Sequence, residues 1–313
     1  MKLDLIVDQF RDKRILVIGD VMLDKYIIGD VNRINPEAPV QIVSVSDEKY
    51  VPGGAANTAN NIDSLGGYVT LIGVCGDDPE ANKLESLLGE VNPILIREKS
   101  RKTTQKIRVV SQNQQLLRVD YEDTHPILKQ TEEKILRYVL ENINDYDCIV
   151  ISDYAKGLVT QRLVNEINSV AKSKNVIVDP RPDHREFYKG VYLITPNLKE
   201  GCELLGLDYG KDPGELGRLL VDYFGSNILL TLGKDGMALF ELNGSVKKIP
   251  TSAREVYDVS GAGDTVVATT ALSLASDADL AQAARIANYA AGIVIGKTGT
   301  STTNIDELKK EIG

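Results

Sequence analysis

The chain has 313 residues, 42% hydrophobic and 26% charged, with a formal net charge of −9 and an isoelectric point near 5.0. There is enough apolar material for an extensive core, and the acidic balance excludes the basic face that nucleic acids and anionic membranes select. Small molecules are therefore the expected partners, with no nucleic acid and no membrane. The opening "MKLDLIVDQFRDKR" is acidic and amphipathic rather than a basic region joined to an apolar core. No run approaches the ~20 apolar residues of a membrane span, so a cytoplasmic protein is expected. Next come short β-branched runs: "RILVIG" (14–19), "VTLIGV" (69–74), "DCIVIS" (147–152), "NVIVDP" (175–180), "VYLITPN" (191–197) and "NILLTLG" (227–233). Bounded by Gly, Pro, Asn or Asp, they read as buried parallel strands. Segments 124–144, 160–174, 198–207 and 213–224 carry apolar residues at helical spacing between them. The alternation predicts an α/β fold with a central, mostly parallel sheet covered by helices. Residues 26–51 and 103–120 instead alternate polar and apolar, as half-exposed antiparallel strands of a small lid do. No repeat or linker divides the chain, so one domain over 1–313 is expected. Cys75, Cys148 and Cys202 lack any CxxC or Cys/His cluster and read as buried small hydrophobes.

Three glycine-rich stretches could take a nucleotide. "VIGDVMLDKYIIGD" follows the first strand but is not G-x-G-x-x-G. "AAGIVIGKTGTS" fails as a Walker A loop: Gly292 stands one residue too close to Gly296, the proper spacing falls on Ala291, and the stretch follows a helical pattern. "YDVSGAGDTVVA" (257–268) is better placed, because Gly261, Ala262 and Gly263 are small and an apolar helix follows. Free N–H groups and the positive helix end converge there, as a phosphoryl group requires. Asp258 and Asp264 sit oddly beside an anion, and either could simply be an N-cap.

"DVSGAGDT" together with "PGGAANTANNIDSLGG" (52–67) resembles the C-terminal and N-terminal signatures of the ribokinase-like, or PfkB, carbohydrate kinases. "TPNLKE" (195–200) and "TLGKDG" (231–236) resemble that family's N-x-x-E and T-x-G-x-x-G elements, so the likeness spans nearly the whole chain. "GDVMLDKYIIGDVNRINPEAPV", "TTQKIRVVSQNQQLLRVDYED" and "AAGIVIGKTGTS" look specifically like the heptose 7-phosphate kinases, which phosphorylate the anomeric hydroxyl of D-glycero-manno-heptose 7-phosphate to the 1,7-bisphosphate.

The resemblance implies a ribokinase-like fold, ATP and Mg2+ as cofactors, and roles for particular residues. Asp264 would be the general base, and Gly261, Ala262 and Gly263 would donate N–H bonds to the transferring phosphoryl. Asn197 and Glu200 would hold Mg2+ through water, with an ordinary helix cap as the alternative. Thr231, Gly233 and Gly236 would admit the nucleotide, unless they form only a strand–turn–strand glycine pair. Asp24, Asn57, Gly53 and Gly54 would meet the sugar, although "GGAAN" is one residue shorter than the commoner "GGKGAN". Asp20 is a further candidate, with capping at the strand end as the alternative. Of Arg33, Lys106, Arg108 and Arg118 on the lid, Arg33 and Arg108 are taken for the substrate phosphate. Arg181 and Pro182 stand where the family has Lys-Gly, and His125 and His184 are expected at the surface. Asp258 and Ser260, with carbonyls around Lys297 to Ser301, would form a monovalent-cation site for K+, which Lys297 could occupy or repel. No H-x-G-H motif is present, so adenylyl transfer is expected from another protein, and the lid is expected to pair with a second subunit as a homodimer. The alternatives are a kinase of another sugar, sugar phosphate or nucleoside, and a ligand-binding or regulatory protein on the same fold.

Overall fold

The apolar runs become strands of one large sheet in the computed structural model, which describes residues 2–112, 114–171, 174–253, 257–297, 299 and 301–313. In chain order the described strands are β1 (Arg14–Gly19), β2 (Val21–Ile34), β3 (Gln41–Gly54), β4 (Tyr68–Gly76), β5 (Asn92–Glu98), β6 (Gln105–Ser111), β7 (Gln114–Tyr121), β8 (Cys148–Ser152), β9 (Asn175–Asp179), β10 (Leu193–Ile194), β11 (Asn227–Thr231), β12 (Met237–Phe240) and β13 (Val246–Ile249). Nine of them form a sheet in the order β13-β12-β11-β10-β9-β8-β1-β4-β5. It is parallel from β5 to β11 and closes on an antiparallel edge, β11-β12-β13. Alternate side chains feed two cores. Leu16, Ile18, Ile149 and Ile151 pack on one face, and Ile15, Val17, Cys148 and Val150 on the other. The helix Ala262–Ala275 is buried from Asp264 to Leu274. A helix apolar all round belongs inside a layer.

The strand expected over 191–197 shrinks to Leu193–Ile194, because Pro196 has no N–H to give a ladder and Asn197 already caps the helix Leu198–Leu204. The hairpin β12–β13 and edge strand β5 were not among the expected strands. All three cysteines are buried and free. Burial pushes the Cys75 thiol up to about 11 and the Cys148 thiol to about 12, which leaves both unreactive. Among the described residues no helix is long and apolar enough to cross a membrane.

Two features position the site. Parallel register places Gly19 beside Ser152 and Ser152 beside Asp179, so the residues that follow β1 and β8 and the end of β9 meet at one sheet edge, where open α/β sheets bind ligands. The second is the lid, a four-stranded sheet in the order β3-β2-β6-β7. Its hairpins β2–β3 and β6–β7 are antiparallel, and β2 and β6 join in parallel because both leave the same edge of the core. The lid strands start deeper than the alternation implied: β2 begins at Val21, directly after Asp20, and its first four residues are buried. Register sorts the two faces. Asp24, Tyr26, Lys106, Arg108, Arg118 and Asp120 share one, and Leu23, Ile27, Ile107, Val109, Val119 and Tyr121 share the other.

Candidate functional site

The helices Ala55–Ser64 and Ala262–Ala275 start side by side at this edge, and Asp264 is where they meet. Its carboxylate is 5% exposed. One oxygen accepts from Asn57 Nδ2 at 2.6 Å, the other from Thr58 Oγ1 at 3.0 Å and from the Tyr154 hydroxyl at 2.8 Å. Burial pushes the Asp264 carboxyl above its ordinary value, the three donors pull it back, and the charge of Asp24 adds to the rise. A fixed carboxylate of raised basicity at a helix start is equipped to take a proton.

The residues expected to meet the sugar are brought together at this edge, tied to protein partners of their own. Asn57 is 3% exposed and gives an amide hydrogen to Asp264, so it orients the base. Asp24 pairs with Arg108, Nη1 to Oδ1 at 2.6 Å, with the Arg108 guanidinium 5.4 Å from the Tyr26 ring. A Cβ on Gly53 would stand 2.5 Å from Asp24 Oδ2, and one on Gly54, at φ +60°, 2.4 Å from the Asp20 carbonyl. The glycine pair thus makes room for Asp24 and the chain turn rather than opening directly onto a ligand. Asp20 makes the contacts of its capping alternative: its carboxylate accepts from the N–H groups of Tyr154, Lys156 and Leu158 at 2.9, 3.0 and 3.1 Å and fixes the loop after β8. Arg33 is exposed and stands nine residues along β2 from Asp24, roughly 30 Å at strand rise.

On the nucleotide side the helix Leu198–Leu204 opens with a reciprocal cap. Asn197 Oδ1 accepts from the Glu200 N–H at 2.9 Å, and Glu200 Oε2 from the Asn197 N–H at 3.0 Å. Glu200 Oε1 also receives Arg181 Nη1 at 3.3 Å. The half-buried Asp179 carboxyl is pushed well up by desolvation and then by the charges of Glu200 and Asp264. Crowded hard-oxygen donors of this kind fit Mg2+, which is commonly held by one or two carboxylates, phosphates and waters. Among the described residues no group of three or more metal-ligating side chains forms a closed cage. Thr231 ends β11, and its N–H donates to the Pro196 carbonyl at 3.0 Å. Gly233 and Gly236 have φ of +60° and +86°. A Cβ on Gly236 would lie 2.1 Å from the Ile249 carbonyl, whereas one on Gly233 would meet nothing within 4 Å. Gly236 therefore serves the hairpin, and Gly233 borders open space.

The anion loop has Gly261 at φ +80° as helix N-cap, the Ala262 N–H donating to the Val259 carbonyl at 3.3 Å, and open space beside Gly263. Asp258 Oδ1 receives the Ser260 N–H at 2.8 Å. The expected cation site lies partly outside the described residues, at Thr298 and Thr300. Lys297 donates to the Thr302 carbonyl and to Glu307 at 2.9 and 2.7 Å. The "GKTGTS" stretch follows the end of the helix Leu280–Ile295, in line with its failure as a P-loop.

Thr58 and Tyr154 were not singled out in the sequence, nor was Asp153, which is fully buried and accepts from the Tyr188 hydroxyl at 2.6 Å while lying 2.7 Å from His184 Nδ1. His184 is consequently structural rather than a free surface residue, and its pKa is raised first by that hydrogen bond.

Residues 12–307 match the description "pfkB family carbohydrate kinase". The chain belongs to the pfkB family. The bifunctional protein HldE of Aliarcobacter butzleri is 44% identical over 303 residues, 94% of this chain and 63% of that one. The chain thus spans a little under two thirds of the curated relatives it matches. Arabidopsis thaliana ribokinase complexed with ribose and ATP superposes with a TM-score of 0.75 at 18% identity, over 96% of this chain and 98% of that one. Escherichia coli phosphofructokinase-2 in complex with potassium gives 0.76 at 20% identity, with the same coverage. As a pfkB member the chain is a carbohydrate kinase, a phosphotransferase acting on a sugar hydroxyl, and this family implies ATP and Mg2+.

Proposed function

We propose that the chain transfers the γ-phosphoryl of ATP to the anomeric hydroxyl of D-glycero-manno-heptose 7-phosphate, giving heptose 1,7-bisphosphate for nucleotide-heptose synthesis in the cytoplasm. The observation that carries the chemistry is the Asp264 carboxylate, buried and held by three donors beside the open N-terminus of its own helix. Asp264 accepts the proton as the sugar oxygen attacks, and an anomeric hydroxyl is acidic enough for a carboxylate to serve. Gly261 and Gly263 offer amides to the transferring group, with Ala262 joining once its long bond to Val259 opens. Glu200 and Asp179 would hold Mg2+, which when bound offsets charge on the phosphates. Relatives named HldE at 44% and 42% identity support the heptose substrate. ADP release across ribose, fructose 6-phosphate and heptose 7-phosphate tests the assignment, and a kcat/KM for either of the first two above that for the heptose would sink it.

The lid supports a homodimer. Its face away from the cleft exposes Leu117, Val119 and Tyr121 by 41–49%, an apolar stripe of the kind interfaces cover. Light scattering should give the dimer mass and lose it in Val119→Asp; a monomeric wild type would refute the pairing. K+ dependence through Asp258 and Ser260 is part of the same reading, and equal rates with K+ and a bulky organic cation would remove it.

A further inference from the structure

Asp153 follows the last residue of β8 and is fully buried, yet no step of the transfer uses it. We propose that Asp153 is a positioning residue for phosphoryl transfer: clamped by Tyr188 and His184, it sets the backbone from which the Tyr154 hydroxyl reaches the Asp264 carboxylate. The proposal rests on the kinase reading of Asp264.

The path from Asp153 to the base is short and continuous. Asp153 Oδ1 accepts from the Ala155 N–H at 2.8 Å, and the Asp153 N–H donates to the Asp179 carbonyl at 3.1 Å. Tyr154 stands between these two anchors. Its hydroxyl donates to Asp264 at 2.8 Å, and the Arg181 guanidinium and Lys106 ammonium lie 4.6 and 5.5 Å from its ring centroid. Asp20, at the end of the neighbouring strand, holds the N–H groups of Tyr154, Lys156 and Leu158. Two carboxylates thus share four amides of the loop 154–158. The loop needs such holding, because Ala155 takes φ +54°. The left-handed region is costly for a residue with a Cβ and persists only where the surroundings over-determine it, which is common beside reacting groups.

Asp153 is itself fixed from the far side. Its Oδ2 accepts from the Tyr188 hydroxyl at 2.6 Å and lies 2.7 Å from His184 Nδ1, which must carry a hydrogen to face a carboxylate. The Tyr188 hydroxyl in turn accepts from the Arg181 N–H at 3.0 Å, and His184 stacks on Phe187 with ring centroids 4.6 Å apart. Asp153 therefore joins the loop after β8 to the loop after β9. Its charge also has a cost, since burial and then Asp153 push the neighbouring Asp20 carboxyl up. The His184 ring, whose own pKa the contact with Asp153 raises, offsets that crowding when charged. An acid that only braced the fold would matter equally whether or not Tyr154 kept its hydroxyl. An acid that acts through that hydroxyl should matter little once it is gone.

The test is a double-mutant cycle on ADP release, read as kcat/KM for the best acceptor on the acid limb of the rate. Asp153→Asn and Tyr154→Phe should each cost about 5-fold, the scale of one displaced hydrogen bond, and the double variant should stay near about 5-fold. Losses that multiply to about 25-fold, or Asp153→Asn at the wild-type rate, overturn the proposal and leave the kinase reading standing. Should Asp153→Asn fail to fold, Tyr188→Phe, which removes one clamp and keeps the ring, takes its place in the cycle. Its loss should be about 2-fold and vanish in the Tyr154→Phe background; no loss, or one that persists there, overturns the proposal. If no sugar or sugar phosphate releases ADP, the kinase reading falls and hydrogen exchange by mass spectrometry judges the positioning. Amides of residues 154–158 should then exchange about 10-fold faster in whichever of the two variants folds than in the wild type, and unchanged exchange there overturns the proposal.

Discussion

The two walls of the cleft solve different problems. On the acceptor wall Asp20, Asp24, Asn57 and Asp264 are at most 7% exposed, and the side chain of each is tied to a named partner. On the nucleotide wall Asn197, Gly233 and Gly263 are exposed, and what they offer is backbone and open space. A proton acceptor must be held to a fraction of an ångström with its basicity set, which takes a side-chain network. A polyphosphate needs amides and a helix end, and the chief requirement there is that nothing stands in the way. Changes on the acceptor wall should therefore act through charge and protonation, and changes on the nucleotide wall through sterics and backbone.

The largest expected effect is on the acceptor wall. Asp264→Asn removes the proton acceptor while preserving volume, and should lower kcat by about 10² to 10⁴. ATP affinity by calorimetry should stay within a few-fold, and near-normal turnover would end the general-base assignment. Second comes a change of stability on the other wall. Gly236→Ala puts a Cβ at 2.1 Å from the Ile249 carbonyl with φ at +86°, and should destabilise the fold by about 1–3 kcal/mol; an unchanged melting temperature would show that the β12–β13 hairpin yields easily.

Tyr154→Phe tests the network more finely, since the ring that carries Arg181 and Lys106 remains and only the hydroxyl goes. That hydroxyl stabilises the carboxylate form of Asp264, so its loss raises the carboxyl pKa further. Activity needs the carboxylate, and the acid limb of kcat/KM should move to higher pH with a several-fold loss near that limb. A smaller kcat with an unmoved limb would mean that Tyr154 positions the base without tuning it.

The sheet was legible because strands buried on both faces are continuous apolar runs, and the loop before the helix Ala262–Ala275 because small residues before a helix suit an anion; the role expected of Asp264 came from the family resemblance and not from the spacing. Tyr154 and Thr58 were not legible, since their bonds to Asp264 cross 110 and 206 residues and leave no local period. A weak signal for the Tyr154 loop was present in "ISDYAKG", a strand end followed by a glycine; Gly157 there takes φ +94° beside Ala155 at +54°. Asp20 shows a different limit. A carboxylate after a strand looks the same in sequence whether it will accept three backbone amides or a ligand hydroxyl, and only the path of residues 154–158 decides it. Arg33 shows a third limit, because alternation identifies a lid strand without saying how far each residue stands from the core.

The smallest expected effect separates the walls most cleanly. Gly263 sits in the first turn of its helix, outside the left-handed region, and a Cβ there meets nothing within 4 Å. By propensity alone Gly263→Ala should stabilise the protein by about 0.5–1 kcal/mol. If the transferring phosphoryl approaches this amide, the added methyl enters the ligand's space, and kcat/KM for ATP should fall several-fold while the melting temperature rises. Opposite movements of stability and rate at one residue are what a wall built for clearance predicts. A variant that is both more stable and fully active would show that the nucleotide does not use this amide, and the contrast between the walls would then rest on Gly233 and the helix end alone.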